Sequence, residues 1–385
     1  MAQQAEHVLG KDEVIGSNPI ISSKKNIGFN DSDVLFLYQN KNYKCQKGCE
    51  NMILAKALKK GDTIGLFSPS SPVSCSCPNR YKRGKEFLEK KGFKIKEGNL
   101  TGKKDFYRSG SIKERAQELN ELIRDDSVRC IMSTIGGMNS NSLLPFIDYD
   151  ALKKDPKIII GYSDVTALLL GIYEKTGLVT FYGPACAASF GEFPPFSEET
   201  YSYFESIVTN NAAVPFTLPT PKEWTDEFID WEHQERSKKG QANRLITLKE
   251  GTAEGRLIGG NLNTISGIFG TSYMPAINKG DILFIEDSLK DIATEERSLS
   301  HLKLSGAFEK ISGLLLGKHE CFDDLASNRT QEDVLKEVLE YDIKFPVLSG
   351  FDCCHTHPML TIPIGVKMRL DSSKQQVTVL ERFLK

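Results

Sequence analysis

The sequence lacks the features that would direct the protein to a membrane or to nucleic acid. No apolar run approaches the ~20 residues of a membrane helix, and the N-terminus, MAQQAEHVLGKDEVIG, lacks the basic start and apolar core of a secretion signal. Basic and acidic residues nearly balance, at 49 and 51, for a formal net charge of −2. That balance gives no pull toward a nucleic acid polymer or an anionic lipid surface. We therefore expect a cytoplasmic protein without membrane or nucleic acid partners.

The sequence also lacks a disulfide framework, a common metal motif and a dinucleotide fingerprint. Its nine cysteines are an odd number scattered along a long chain, which favours reduced thiols. The spacing of Cys45, Cys49, Cys75 and Cys77 fits no common zinc site. No G-x-G-x-x-G follows the first predicted strand, which argues against a non-enzymatic nucleotide-binding module. We expect neither a metal nor another cofactor.

Length and composition predict two domains behind an N-terminal extension. The chain has 385 residues, which is enough for two ordinary domains. Residues 1–55 are polar and poor in pattern, and we interpret them as a partly disordered extension. We predict an α/β domain at 56–215, an inter-domain loop at 216–253 and a second domain at 254–385.

Strands alternate with helices through the first predicted domain. Apolar runs at 62–67, 128–132 and 157–160 predict strands, and the amphipathic stretches between them predict helices. This alternation is typical of a mostly parallel, doubly wound sheet, in which ligands bind at the carboxyl ends of the strands. The loops SPSSP, TIGG, GYSD and YGP follow predicted strands, so we expect a binding site among them.

One serine stands between a buried strand and a helix in the stretch KIIIGYSDVT, at 157–166. A serine at such a turn has its hydroxyl held out of the sheet, as in a nucleophile elbow. Because the motif is G-Y-S-D and not G-x-S-x-G, a simple helix cap is the alternative for Ser163. A nucleophilic serine needs a base and an orienting carboxylate. His355, in a loop between apolar segments, and Glu286, after four apolar residues, are the best placed candidates.

A series of motifs runs from about residue 57 to the end of the chain: GDTIGLFSPSSP, TIGGMNSNSLLPFIDYD, IIGYSDVTALL, FYGP, EGRLIGGNLNTI, ILFIEDS, GLLLGK and HTHPMLTIPIG. With these motifs the chain resembles the serine peptidase family of LD-carboxypeptidases and microcin C self-immunity proteins. The resemblance implies a catalytic triad of Ser163, Glu286 and His355. The family usually has glycine before the histidine, whereas this sequence has Cys354, which bears on the local turn and the pose of His355.

The resemblance also implies a fold, an oxyanion site and an assembly. We expect a Rossmann-like or flavodoxin-like N-terminal domain with a parallel sheet, a smaller β-rich C-terminal domain, and the site between them. The backbone N–H groups of Gly137 and Asp164 would hold the oxyanion. Members of the family commonly form homodimers, so a homodimer is expected.

Two activities compete within this family. One removes the terminal D-alanine from muropeptide tetrapeptides, and the other cleaves the amide-type bond between an aminoacyl (aspartyl) group and a nucleotide. The N-S-N after Gly-Gly-Met, the WTDEFIDWE loop and the H-T-x-P-M motif favour the aminoacyl-nucleotide substrate over the small peptide. Trp224 or Trp231 would then stack on the nucleobase, Lys290 would contact the charged end of the substrate, and Asn139 is a further candidate for substrate binding.

Overall fold

The computed structural model describes residues 52–209 and 214–385. The predicted extension at 1–55 lies almost wholly outside these ranges, and the predicted domain boundaries stay predictions. The described chain is built on two large sheets and a two-stranded hairpin. Within the described ranges, no helix is both long and apolar enough to cross a membrane.

The first sheet has six strands and carries the predicted elbow. Five strands run parallel, and a sixth, from near the C-terminus, pairs antiparallel with the outermost of them. Its central strands are apolar and buried along most of their length, as strands covered on both faces require. This confirms the predicted parallel α/β sheet. In sheet order the strands are β2 (Lys94–Glu97), β1 (Thr63–Phe67), β3 (Val128–Ser133), β4 (Ile158–Gly161), β5 (Thr180–Tyr182) and β14 (Ile362–Ile364).

Local sequence signals set the ends of several helices. The helix after β2 is capped by Ser111, whose hydroxyl accepts the N–H of Glu114 in a capping box. The helix after β4 ends at Gly177, which has a φ of 75° and closes the helix in a left-handed conformation. The α-helices among the described residues are α1 (Val73–Ser76), α2 (Pro78–Lys90), α3 (Ile112–Arg124), α4 (Tyr149–Lys154), α5 (Thr166–Thr176), α6 (Phe196–Val208), α7 (Leu262–Ser266), α8 (Ile292–Leu304) and α9 (Gln331–Val338).

Helix α6 lies near the end of the predicted α/β domain, and no helix was predicted there from the sequence. Frequent proline and charged residues surround it, at 185–255. The buried face of the helix includes Tyr201, Phe204 and Val208, whose spacing of three and four residues follows the helical period. Burial of this apolar face therefore decides the local structure against the polar composition of the wider stretch.

The second sheet has eight strands and forms the predicted β-rich C-terminal part. Four central strands are parallel, and antiparallel strands flank them on both sides. In sheet order the strands are β6 (Phe216–Thr217), β16 (Gln376–Val379), β15 (Lys367–Asp371), β10 (Thr252–Asn261), β11 (Ile282–Glu286), β12 (Gly313–Gly317), β13 (Val347–Phe351) and β9 (Ile246–Lys249). The separate hairpin pairs β7 (Glu223–Trp224) with β8 (Gln241–Ala242).

The two sheets meet where β10 passes helix α5. Gly260 has a φ of 149°, and a Cβ added there would lie 2.6 Å from Thr166 Cγ2 and 3.1 Å from the ring of Tyr182. The backbone N–H of Asn261 donates to Thr166 Oγ1 at 2.9 Å. Since β10 is hydrogen-bonded to β11, this close approach brings Glu286, at the end of β11, beside Tyr182, at the end of β5.

Candidate active site

Ser163 lies at a strained turn between β4 and α5. Its φ of 61° is left-handed, a conformation that costs a non-glycine residue about 1–2 kcal/mol. One 3₁₀ turn, Ser163–Val165, leads into α5. Two glycines provide the space that this turn needs. A Cβ on Gly136 would lie 2.9 Å from Ser163 Cβ, and a Cβ on Gly161 would lie 2.6 Å from Ser133 Oγ. The turn has the strand–turn–helix geometry of a nucleophile elbow.

The side chain of Asp164 ties this turn to the TIGG loop. Its Oδ2 accepts the backbone N–H groups of Asn139 at 3.1 Å and Ser140 at 2.9 Å. Burial raises the pKa of Asp164, and these donors act in the opposite direction. The Cβ position of Gly136 is 3.1 Å from Asp164 N, so the loop and the turn are in contact. Among the described residues, no acceptor takes the backbone N–H of Asp164 or of Gly137, so both are available to a ligand.

His355 and Glu286 form a buried hydrogen-bonded pair. His355 Nδ1 lies 2.6 Å from Glu286 Oε2, and Glu286 is 1% exposed. Burial lowers the pKa of His355, but the attraction of Glu286 outweighs it and holds that pKa above its ordinary value. Burial raises the pKa of Glu286, but His355 and the other donors outweigh it and hold that pKa below its ordinary range. Because Nδ1 is engaged, Nε2 is the ring nitrogen left for a third group.

Two side chains that sequence reasoning did not single out complete the surroundings of Glu286. Tyr182 Oη donates to Glu286 Oε1 at 2.5 Å and accepts the backbone N–H of Ser163 at 3.0 Å. Asn261 Nδ2 donates to the same carboxylate oxygen at 3.0 Å. Tyr182 lies in the motif FYGP and Asn261 in EGRLIGGNLNTI. Membership of those motifs, and for Tyr182 its place in the predicted strand-end loop YGP, were the available signals, since a tyrosine at a strand end and an asparagine at a helix cap are otherwise ordinary.

Cys354 fits at the position where a glycine was expected. Its side chain is buried, and its Sγ lies 3.1 Å from Thr356 Oγ1. The ring of His355 packs edge-on against Tyr162, with ring centroids 4.9 Å apart. The turn therefore accepts a cysteine while His355 keeps its contact with Glu286.

Trp224 is the last residue of strand β7, and the residue after it is tied to the histidine segment. The next residue, Thr225, exchanges two backbone hydrogen bonds with His357, at 2.8 and 3.0 Å. Trp224 itself is half-buried, and Lys318 Nζ lies 5.4 Å from its ring centroid. These contacts place Thr225 beside His357, which is two positions after His355 in the sequence.

Trp231 rests against a fully buried arginine. The Arg80 Cζ lies 4.3 Å from the centroid of the Trp231 ring. The Arg80 guanidinium donates to Glu192 Oε2 at 3.0 Å, to Gln234 Oε1 at 2.6 Å and to two backbone carbonyls. Removing one member of a buried charge pair is costly, so this network fixes the segment from Trp231 to Gln234 against helix α2.

Lys290 and Asn139 are engaged to different degrees. The backbone N–H of Lys290 donates to His319 Nε2 at 3.2 Å, while the ammonium group pairs with no acceptor in the described part of the chain. Asn139 Oδ1 accepts from Arg115 Nη1 at 2.6 Å and from Ser70 Oγ at 3.1 Å. The carbonyl end of the Asn139 side chain is therefore used inside the protein, which leaves its NH₂ group for a ligand.

The cysteines do not assemble with other metal-binding side chains where the structure describes them. Cys75 and Cys77 are free thiols, whereas Cys45 and Cys49 lie outside the described residues. Across 52–209 and 214–385, no three His, Cys, Asp or Glu side chains come together in a way that could hold a metal ion.

Comparisons with known proteins point to one family. Family models described as the LD-carboxypeptidase N-terminal and C-terminal domains match residues 64–183 and 254–370. A putative carboxypeptidase of Vibrio cholerae is 56% identical over 87% of this chain and 99% of its own length. The microcin C7 self-immunity protein MccF of Escherichia coli is 56% identical over 86% of this chain and 97% of its own length. A solved structure of MccF in complex with aspartyl sulfamoyl adenosine matches with a TM-score of 0.85 and 56% identity, covering 86% of this chain and 100% of that one.

Proposed function

The chain belongs to the LD-carboxypeptidase family and is a hydrolase of the serine carboxypeptidase type; from this premise we propose that Ser163, Glu286 and His355 are its catalytic triad. The observation that carries the proposal is the buried pair of His355 Nδ1 and Glu286 Oε2, 2.6 Å apart. Tyr182 connects that carboxylate to the backbone of Ser163, whose left-handed turn is typical of an activated nucleophile.

Each side chain of the proposed triad has one task. His355 Nε2 takes the hydroxyl proton as Ser163 Oγ attacks the acyl carbonyl carbon. The leaving nitrogen departs with that proton, and an ester remains on Ser163. Water, deprotonated by His355, then breaks the ester and restores the serine. Glu286 keeps the proton of the neutral imidazole on Nδ1 and stabilises the imidazolium that forms in both steps.

The oxyanion of the tetrahedral intermediate would bind to backbone N–H groups of Asp164 and Gly137. Both groups lack an acceptor among the described residues, and the TIGG loop touches the Ser163 turn at Gly136. Losing one such donor typically costs ~3 kcal/mol in the barrier.

We further propose that the substrate is an aminoacyl nucleotide and that the cleaved bond joins an aspartyl group to the nucleotide moiety. Support comes from MccF, which has been solved with aspartyl sulfamoyl adenosine bound. Trp224 and Trp231 are the candidates for stacking on the nucleobase. The unpaired ammonium of Lys290 suits the charged end of the substrate, and the NH₂ group of Asn139 suits a carbonyl oxygen.

Ser163→Ala in the full-length protein tests the proposal. We expect hydrolysis of aspartyl sulfamoyl adenosine, measured as released aspartate by mass spectrometry, to fall roughly 10⁴-fold or more because the nucleophile is gone. Ser202→Ala, on helix α6, is the matched control and should hydrolyse as the wild type does. A Ser163→Ala protein that releases aspartate at the wild-type rate would end the proposal.

LD-carboxypeptidase activity on cell-wall peptides is the second candidate, because the matching family models carry that description. Release of D-alanine from a muropeptide tetrapeptide, with no hydrolysis of aspartyl sulfamoyl adenosine, would select it. The expected homodimer also stays a prediction, which light scattering of the purified protein tests.

A further inference from the structure

One hydroxyl, that of Tyr182, connects groups from the two sheets. It accepts the backbone N–H of Ser163 at 3.0 Å and donates to Glu286 Oε1 at 2.5 Å. A backbone N–H can only donate and an ionised carboxylate can only accept, so the directions of both hydrogen bonds are fixed. Tyr182 has no exposed surface, and its ring packs edge-on against Phe284 at a centroid distance of 5.2 Å. The hydroxyl is therefore held in place by its two hydrogen bonds and by the packing of its ring.

The first hydrogen bond acts on the conformation of the nucleophile. The left-handed φ of Ser163 has to be maintained by its surroundings, and the hydroxyl of Tyr182 fixes the N–H that begins this turn. The same contact occupies the N–H of Ser163. A developing oxyanion must therefore use other donors, which leaves the N–H of Asp164 as the nearest one along the chain.

The second hydrogen bond acts on the charge of the acid. Burial and the charge of Glu286 raise the pKa of Tyr182 well above its ordinary value, so the hydroxyl stays protonated and keeps donating. Together with His355, this donor lowers the pKa of Glu286 against the effect of burial. Glu286 Oε1 is then engaged by Tyr182 and Asn261, which turns Oε2 toward His355.

We propose that Tyr182 is a positioning residue for the reaction, whose hydroxyl couples the backbone of Ser163 to the carboxylate of Glu286. The inference rests on the proposed triad. It adds a fourth side chain to the three of the proposed triad. This side chain contacts neither the substrate nor the transferred proton, and it acts through Ser163 and Glu286 together. Because Ser163 and Glu286 come from different sheets, the hydroxyl also makes the alignment of the site depend on how the sheets dock.

Tyr182→Phe in the full-length protein tests the proposal, since it removes the hydroxyl and keeps the ring. Tyr81→Phe is the matched control, because Tyr81 is also buried and its hydroxyl also donates to a carboxylate, Glu97 Oε1, at 2.8 Å. The first measurement is the rate at which a fluorophosphonate probe labels Ser163, which needs no knowledge of the substrate. The second is the pH profile of kcat/KM on aspartyl sulfamoyl adenosine, with kcat and KM reported separately.

We expect the labelling rate and kcat of Tyr182→Phe to fall roughly 10- to 100-fold, as for loss of a hydrogen bond to a charged group, with KM within about twofold. The acid limb of the pH profile should move to higher pH. Without the donor, the pKa of Glu286 rises. The carboxylate charge also stabilises the imidazolium more strongly, which raises the pKa of His355. Both changes move the acid limb in the same direction. Glu320 and Asp287 also act on His355, and the substitution leaves both in place.

Two outcomes would overturn the proposal. In the first, Tyr182→Phe has the same labelling rate and the same acid limb as Tyr81→Phe. In the second, both variants lose activity in proportion to a common loss of melting temperature. A wild-type protein that the probe does not label at Ser163 would instead refute the triad, so the two failures are distinguishable. If Tyr182→Phe does not fold, 3,5-difluorotyrosine at position 182 replaces it. This residue is a stronger donor and should move the acid limb to lower pH, whereas an unchanged limb would refute the coupling.

Discussion

Glu286→Gln should disable the enzyme while leaving the fold nearly intact, and the structure explains how. In the native protein, Glu286 Oε1 accepts from Tyr182 and Asn261, and Oε2 lies 2.6 Å from His355 Nδ1. A glutamine has one oxygen, and the two donors from Tyr182 and Asn261 will hold it at the Oε1 position. The glutamine NH₂ group then faces His355 and donates to Nδ1. The proton of the neutral imidazole must move to Nε2, the nitrogen that has to accept the proton of Ser163.

The magnitude follows from this change of tautomer. An equivalent carboxylate-to-amide replacement in another serine enzyme lowers kcat by about 10⁴-fold, which corresponds to ~5.4 kcal/mol of barrier at ~1.36 kcal/mol per tenfold. We expect kcat to fall roughly 10³- to 10⁴-fold and KM to change little, because no substrate contact is lost. Since Glu286 contributes most to raising the pKa of His355 above its ordinary value, with Glu320 and Asp287 adding to it, His355 should also titrate at lower pH in the variant.

Steady-state kinetics across the pH range, with thermal unfolding on the same samples, measures both effects. Glu205→Gln is the control, because Glu205 also accepts from a tyrosine hydroxyl, Tyr201 Oη at 2.9 Å, on helix α6. A Glu286→Gln protein that keeps more than about a tenth of wild-type kcat would refute the assignment of Glu286 as the orienting carboxylate. So would an acid limb that stays in place.

Three further substitutions probe the surroundings of the site. Gly136→Ala should lower kcat more than roughly 100-fold with little loss of melting temperature, because the new Cβ would lie 2.9 Å from Ser163 Cβ. Steady-state kinetics measures the first effect and thermal unfolding the second. Arg80→Met should destabilise the fold by about 3–5 kcal/mol, measured by denaturant unfolding, because it removes the nearer of two cations, Arg80 at 3.0 Å and Lys238 at 3.9 Å, that pair with the buried carboxylate of Glu192; limited proteolysis should then cleave the segment 223–240 faster. Lys290→Met should raise KM for a substrate with an anionic end about tenfold and leave kcat within a few-fold, because it removes one charge-assisted contact.

Each of these substitutions has a control on the same chain. Gly267→Ala places a Cβ no closer than 3.3 Å to other atoms and should behave as the wild type. Arg124→Met and Lys303→Met remove ion pairs of exposed or partly exposed side chains, whose contribution is small. The reasoning is contradicted if Gly136→Ala keeps the wild-type kcat. It is likewise contradicted if Arg80→Met keeps the wild-type stability, or if Lys290→Met keeps the wild-type KM.

The local parts of this structure could be predicted from the sequence. The run of isoleucines before Gly161 predicts a buried strand, and the apolar residues after Asp164 predict a helix, so the turn at Ser163 follows from the chain around it. Family motifs then identified Glu286 and His355 as partners, and the structure brings these two together. Their catalytic roles stay a proposal.

The supporting side chains could not be predicted, because their partners are distant in sequence. Tyr182 and Glu286 are 104 positions apart, and Arg80 and Glu192 are 112 positions apart. No periodicity or motif spacing encodes such a contact; it depends on how two sheets or a helix and a loop pack. The same limit applies to Trp231. Its sequence context indicates an aromatic in a polar loop, whereas the structure shows a ring resting on a buried guanidinium.

The order in which the ribosome makes this chain has a consequence for activity. Strand β14 completes the first sheet late, with Ile362 opposite Tyr182 of β5, and His355 lies just before it in the chain. N-terminal segments fold first during synthesis, so a nascent chain presents Ser163 on a sheet whose β5 edge is still open. A product of premature termination or proteolysis upstream of 355 would carry Ser163 without His355, the base of the proposed triad. On that proposal, an interrupted chain would not hydrolyse the substrate and would keep the β5 edge of the first sheet unpaired.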